Sequence, residues 1–290
     1  MTAIGFIGAG RVAHGLGRAL AAAGYGIAAV ANRSPEAAEA LAAALPGCRA
    51  SSAQGVADRC DLVFLTVPDD AIEALARSLR WRAGQAVVHC SGATEVAALD
   101  AAARAGAQTG GFHPLQSFSG EGASLAGCTV TVEAAPPLSG ALEAMVEALG
   151  CRLNRLPPGR RALYHASAGY GSQFLNVLLA EVAALWGAWG ATEEDVLAAI
   201  LPMARASLEA MERGGIAETM PGPVSRGDIG SVRAHLAALA EDPGAEAFYR
   251  AHALRSVDLA ARAGRLDARR AADLRALLRA SPSPDGRESR

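Results

Sequence analysis

Short, almost wholly apolar runs alternate with stretches whose apolar positions recur at helical spacing through the first half of the chain. Ile4-Gly5-Phe6-Ile7 leads into an alanine-rich helical pattern from Val12 to Ala23, and then into the run Ile27 to Ala31. Asp61 to Val67 is apolar up to Pro68, with Asp69-Asp70 placed to open a helix, and Ala86 to His89, Gln108 to Phe112 and Cys128 to Val132 supply further strands. Runs without polar alternation are strands covered on both faces. Their alternation with helices predicts an α/β fold, a Rossmann-type doubly wound parallel sheet. Ligands of such sheets bind beyond the carboxyl ends of the strands. Asn32-Arg33, Val67-Pro68-Asp69, Ser91-Gly92 and His113-Pro114 all follow strand ends, so they are expected to converge on one crevice.

The pattern changes at Pro157-Pro158-Gly159, beyond which no strand is evident. Helical periodicity runs from about Arg161 to Trp189, from Thr192 (a capping Thr with Asp195 three residues on) to Arg213, and in shorter helices from Asp228. The expected organisation is a sheet domain over residues 1–157, an all-helical domain over 158–280 and a polar, disordered tail over 281–290.

The first turn carries the chemistry. Gly8-Ala9-Gly10-Arg11-Val12-Ala13 reads G-x-G-x-x-A between a strand and a helix. Gly8 suits the tight turn, Gly10 lacks the Cβ that would block a pyrophosphate, and Ala13 lets helix and strand pack closely. The free N–H groups of the helix then face the phosphates. The second strand ends in Asn32-Arg33-Ser34, where NAD binders usually place an acidic residue for the ribose 2′-OH. An arginine followed by a hydroxyl suits a 2′-phosphate instead, so the expected cofactor is NADP. Val67 and Pro68 complete the expected cofactor set. Ser34, before Pro35, is equally placed to cap a helix.

Composition narrows the partners. A formal net charge of −2 in 290 residues, with a pI near 6.3, offers no electrostatic footprint for nucleic acid or membrane. No apolar run is long enough to span a bilayer, and a strand at the N-terminus leaves no room for a signal peptide. Cys48, Cys60, Cys90, Cys128 and Cys151 are scattered and odd in number, which points to reduced thiols in a cytoplasmic protein and away from a zinc site. The chain contains no lysine, so all 27 basic residues are arginines and no mechanism can use a lysine ammonium.

An N-terminal Rossmann domain followed by helices resembles the superfamily of 6-phosphogluconate dehydrogenase, 3-hydroxyisobutyrate dehydrogenase, ketopantoate reductase, pyrroline-5-carboxylate reductase and prephenate dehydrogenase. More narrowly, GFIGAGRVAHGLGRAL, VPDDAI, HCSGA, GFHPLQSF, YHASAG and GPVSRGD resemble the Rossmann-like and DUF2520 domain-containing proteins, described as NADP-dependent oxidoreductases. The resemblance implies that His113, in a His-Pro segment like that of prephenate dehydrogenases, meets the substrate, with Ser91 upstream orienting it. It also implies a dimer formed through the helical domain. Where 3-hydroxyacid dehydrogenases carry a catalytic lysine, this chain has Ser172 or Leu175, depending on register. That departure speaks against their mechanism.

The residues themselves give a compatible reading. A histidine at a strand's carboxyl end can shuttle a proton near neutrality, or can simply fix the turn at Pro114. His165, Gly169, Ser172 and Asn176 are spaced 4, 3 and 4, which would align them along one helix stripe. Such a stripe could face the nicotinamide or form a hydrogen-bonded seam between helices. Ser225 and Arg226 could hold a substrate carboxylate, while Asp228 is placed to cap the next helix. Tyr164 could donate a proton or be core. The expected activity is NADPH-dependent reduction of a C=O or C=N group in a small, carboxylated metabolite, with His113, Ser91, His165, Ser172 and Asn176 as the catalytic set. The alternatives are hydride transfer between NADP and another cofactor such as a deazaflavin, and a non-catalytic NADP-binding sensor or scaffold.

Overall fold

A computed structural model of the chain describes residues 2–116 and 125–280. The end of the GFHPLQSF segment and the tail over 281–290 lie outside the described residues. The chain divides into two compact units, residues 1–175 and 176–290.

The first unit is built on an eight-stranded sheet: β1 (Ile4–Ile7), β2 (Ile27–Ala31), β3 (Arg49–Ala50), β4 (Leu62–Leu65), β5 (Ala86–His89), β6 (Gln108–Leu115), β7 (Thr129–Ala134) and β8 (Arg152–Arg155). Their spatial order is β3-β2-β1-β4-β5-β6-β7-β8. The first six strands are parallel; β7 runs antiparallel to β6, and β8 is parallel to β7. Seven helices accompany the sheet: α1 (Arg11–Ala22), α2 (Pro35–Ala43), α3 (Ala53–Arg59), α4 (Ile72–Ser78), α5 (Asp100–Arg104), α6 (Leu138–Ala148) and α7 (Arg161–Ala168).

Alternate residues of the strands feed two cores. Phe6, Phe64, Val88, Phe112 and Val132 pack with α1, α2 and α6, while Ile7, Val63, Leu65 and Val87 pack with α3, α4 and α5. The rings of Phe6, Phe64 and Phe112 form a file across the sheet, with centroids 5.3 and 5.6 Å apart. Ser34 caps α2 by accepting from the Ala37 N–H.

The second unit holds most of α8 (Gln173–Gly187), then α9 (Glu193–Gly214), α10 (Pro223–Arg226), α11 (Ile229–Leu239), α12 (Pro243–Arg262) and α13 (Ala268–Arg279). Its core joins α11, α12 and α13 through Val232, Leu236, Val257, Leu274 and Leu278. Thr192 and Asp195 form a reciprocal capping box at the start of α9, and Asp228 caps α11.

Three features differ from the sequence pattern. The strands β3 and β8 carry no apolar signal because one is two residues long and exposed and the other, Arg-Leu-Asn-Arg, has no fully buried residue. The periodicity from Arg161 to Trp189 is not one helix: α7 ends in a 3-10 turn over Gly169–Gly171, and Ser172 adopts φ −134°, ψ −96° before α8 begins. Two glycines in three residues weaken the helix there. The unit boundary falls inside α8 rather than at the proline turn, because α7 is tied to the sheet by a buried arginine described below.

Candidate active site

The glycine-rich turn lies where the strand order reverses beside β1. Gly8 has φ +112°, and a Cβ there would stand 2.4 Å from the Thr66 carbonyl oxygen, so only glycine fits. The Thr66 hydroxyl donates to the Gly8 carbonyl at 2.9 Å and pins the turn to the end of β4, a contact the sequence did not single out. Across the turn, the Asn32 side-chain oxygen accepts from the Ala9 N–H at 3.3 Å. Beside Gly10 the space that a Cβ would fill is empty, and α1 begins with no side-chain cap and no acidic residue in its first turn. Its free N–H groups and the positive end of its dipole therefore suit a pyrophosphate.

A cleft of about 420 Å³ runs from this turn past Asn32, Arg33, Val67 and Pro68 to Leu75. Arg11 is exposed at the start of α1, Val12 is half-buried, and Ala13 packs fully into the sheet. Ser34 both caps α2 and donates to the Glu36 carboxylate at 2.6 Å. These residues fit a phosphorylated dinucleotide.

A second polar group lies under α7. His89, Gly111 and Glu133 are neighbours in register across β5, β6 and β7, and His113 pairs with Thr131 two residues along. All five therefore share one face of the sheet. Arg161, fully buried, lies over this row. Its Nε donates to Glu133 at 2.6 Å and its Nη1 to the Ser91 carbonyl at 2.7 Å. The guanidinium occupies the volume that a side chain at position 111 would need: a Cβ on Gly111 would come within 1.7 Å of Nη2. Glu95 accepts from the N–H groups of Gly159 and Arg161 at 3.2 Å, placing a carboxylate at the positive end of α7.

Arg161, Tyr164 and His165 are spaced three and four residues apart and so share one side of α7. Tyr164 Oη lies 2.7 Å from His113 Nδ1. The His165 ring is 6.3 Å from that of His113, centre to centre. Both rings border Gly92, where a Cβ would meet His165 Cδ2 at 2.6 Å and the Nε2–Cε1 edge of His113 at 2.9 Å. Burial, reinforced by His165 and Arg161, lowers the His113 pKa to about 4. Burial also lowers His89 to about 3 and raises the Tyr164 phenol, which a hydrogen bond with Thr131 partly offsets.

Several expectations change here. His113 is not a group that titrates near neutrality: it stays a neutral imidazole, because a cation under α7 would be desolvated beside Arg161. Ser91 does not orient it. The Ser91 hydroxyl donates to Thr94 Oγ1 at 2.9 Å and accepts from the Ala93 and Thr94 N–H groups, and the hydroxyl that meets His113 is that of Tyr164. The break at Ser172 dissolves the continuous stripe; the Ser172 hydroxyl donates to the Ala168 carbonyl at 3.1 Å, and Asn176 stands exposed on α8 in the second unit. In that unit Ser225 is buried and donates to the Gly222 carbonyl at 2.9 Å, while Arg226 beside it is exposed.

Comparison with known proteins agrees with this architecture. Residues 3–92 match the family described as NADP oxidoreductase coenzyme F420-dependent, and residues 128–256 match the domain of unknown function DUF2520. Among solved structures, protein TM1727 from Thermotoga maritima is similar with a TM-score of 0.76 at 20% identity, over 90% of this chain and 99% of that one. Protein BF3122 from Bacteroides fragilis, provisionally assigned as an NADP oxidoreductase, gives 0.69 at 24% identity, over 88% and 97% of the two chains. A reductive aminase from Aspergillus terreus, in complex with NADPH and ethyl-5-oxohexanoate, gives 0.62 at 14% identity, over 96% and 92%. At these identities the likeness is one of fold. No curated protein sequence matches the chain. The class is thus that of NADP-binding oxidoreductases with a Rossmann domain. Within that class the chain resembles the Rossmann-like proteins with a DUF2520 domain, on matches over residues 3–92 and 128–256.

Proposed function

We propose that the protein reduces a C=O or C=N group of a small, carboxylated metabolite with NADPH, using the His113–Tyr164 pair to hydrogen-bond the oxygen or nitrogen of that group. The observation that carries this reading is the 2.7 Å contact between Tyr164 Oη and His113 Nδ1 at the carboxyl end of β6, close against Gly92. When bound, the cofactor supplies a hydride. A neutral imidazole is not a strong acid; its N–H can bond a carbonyl oxygen or an imine nitrogen, and its bare nitrogen can accept from an iminium N–H. An iminium brings its own proton, which favours C=N over C=O in a chain without lysine. His165 lies against Gly92 beside the pair.

The test is a fluorescence titration with NADPH beside NADH, followed by a screen of oxo acids and cyclic imines for NADPH oxidation. NADPH bound much more tightly than NADH, with turnover on one substrate class, is the expected result. Turnover that survives His113→Ala would overturn the assignment of the site.

A second reading has one observation in its favour, the description of the family matched by residues 3–92. Under it the hydride passes between NADP and a deazaflavin; reduced deazaflavin mixed with NADP and this protein would then change in absorbance. NADPH binding with no turnover on any of these partners would instead favour a sensor or scaffold.

The proposed assembly is a homodimer. No residue of α8 is buried and Val196 is the one buried residue of α9, yet these helices expose Phe174, Leu175, Val177, Leu178, Leu185, Met203 and Leu208, with Trp189 between them. Apolar surface of that extent calls for cover, which a second copy offers.

A further inference from the structure

We propose that Cys128 and Cys151 form an oxidation site, at which a hydroperoxide joins them in a disulfide that ties the edge strand β8 to β7. The five cysteines are scattered in the sequence and all are free thiols, yet these two sulfurs lie 3.7 Å apart. The backbone brings them together. Thr129 and Arg152 are register partners in the parallel pair β7–β8, so the residues just before them stand side by side. Hydrogen bonds bracket the two cysteines: the Gly127 N–H donates to the Gly150 carbonyl at 3.0 Å, and the Arg152 N–H to the Cys128 carbonyl at 2.8 Å. Paired strands are about 4.8 Å apart, within the ~4.4–6.8 Å that a disulfide spans between Cα atoms. Both side chains pack against the same core, the one that α6 covers. Bonding requires only that the sulfurs close to about 2.05 Å.

Cys151 is the sulfur that meets the oxidant. It lines an open groove of about 500 Å³ together with Glu143, Glu147 and Arg155. This rim is acidic on balance, so an uncharged oxidant such as hydrogen peroxide enters it more readily than an anionic one. The Cys151 S–H donates to the Leu125 carbonyl at 3.1 Å, which leaves its sulfur to accept from Cys128. Burial and the contact with Cys151 push the Cys128 thiol up to about 12, so Cys128 keeps its proton until the last step. Cys151 Sγ, as thiolate, attacks one peroxide oxygen and the O–O bond breaks. The departing hydroxide takes up the Cys151 proton, and Cys151 becomes a sulfenic acid. Cys128 Sγ then attacks Cys151 Sγ, the S–O bond breaks, and the Cys128 proton joins the departing hydroxide as a second water. The two sulfurs together lose two electrons and one peroxide becomes two waters. Strand β8 has no fully buried residue, so a covalent tie to β7 adds to little more than its backbone ladder. It also removes freedom from the unfolded chain.

The test treats the reduced full-length protein with equimolar hydrogen peroxide. The intact mass is expected to fall by two hydrogens, leaving three of the five thiols titratable after denaturation. Cleavage after glutamate separates the two cysteines at Glu133, Glu143 and Glu147, and is expected to recover their peptides joined. The melting temperature is expected to rise by about 5 °C or more and to return with dithiothreitol. In Cys128→Ser the reaction should stop at the sulfenic acid on Cys151, which dimedone traps, while Cys151→Ser should leave Cys128 a free thiol. A wild type that keeps all five thiols would overturn the proposal. So would thiols lost to other pairs or to links between chains, or a Cys151 oxidised past the sulfenic acid while Cys128 stays free. A Cys128 oxidised as readily in Cys151→Ser would overturn the role given to Cys151.

Discussion

Arg33 is the residue on which cofactor choice is proposed to turn. It lines the cleft beside Asn32 at the end of β2, and a guanidinium there can hold a 2′-phosphate through two parallel bonds. Arg33→Gln is expected to weaken NADPH binding by about ten- to a hundredfold, the worth of a charge-assisted hydrogen bond, and to leave NADH binding unchanged in the same titration. Tyr164→Phe removes the partner of His113 Nδ1; a fall in kcat of roughly tenfold or more is expected, below the ~10²–10⁴-fold that loss of a positioned acid–base group costs. His89 and His113 make a prediction about pH. Burial lowers their pKa values to about 3 and about 4, against 6.5 for a free histidine. Below 6.5 the unfolded chain takes up protons that the folded one refuses, so their contribution is complete above that value and declines as the pH falls toward 4. Melting temperature is expected to drop across that window, and less steeply in His89→Leu. At this scale the sequence was legible where a residue's role is local. The caps at Ser34, Thr192 and Asp228 are set by near neighbours, and the G-x-G-x-x-A spacing is itself a local signal. Tyr164 was not, because its partner lies 51 residues away and meets it only once α7 folds over β6. The spacing of Arg161, Tyr164 and His165 was the available signal.

Elements tell a similar story. Strands covered on both faces announce themselves as apolar runs, which is why β1, β2, β4 and β5 could be read directly. The edge strands β3 and β8 bury little and leave no such mark. Helix α7 is unusual in that its one fully buried side chain is a charged one, Arg161. Breaking a buried ion pair by removing one partner costs about 3–5 kcal/mol, so Glu133→Gln is expected to lower stability by that order in urea unfolding. Gly111→Ala is expected to do the same by pushing the guanidinium off the strand. Gly92→Ala should act differently. Its methyl group would press on the rings of His165 and His113, at 2.6 and 2.9 Å, and displace them, so turnover should be lost while NADPH still binds, as kinetics and the fluorescence titration would show together.

For the whole molecule, the chain divides into two compact units inside α8, a place that the change of pattern near Pro157 does not mark. Periodicity records which residues are apolar; it does not record that α7, helical like all that follows, is bonded to the sheet. The apolar exposure of α8 and α9 carries the prediction at this scale: light scattering should give the mass of a dimer at micromolar concentration. A monomer would leave those helices without cover and overturn the assembly proposed here.

The single charged anchor of α7 has a last consequence, best seen in amide hydrogen exchange. A helix held by a stripe of leucines loosens gradually, turn by turn, whereas one held by a few polar contacts around one buried cation lets go all at once. With Arg161 seated, the amides of α7 should exchange as slowly as those of the sheet beneath it, even though most of the helix surface faces solvent. In Glu133→Gln they should exchange together and early, while β1 and β4 keep their protection. The opening of α7 would then be a small unfolding event of its own, and it would carry Tyr164 away from His113 each time it occurred.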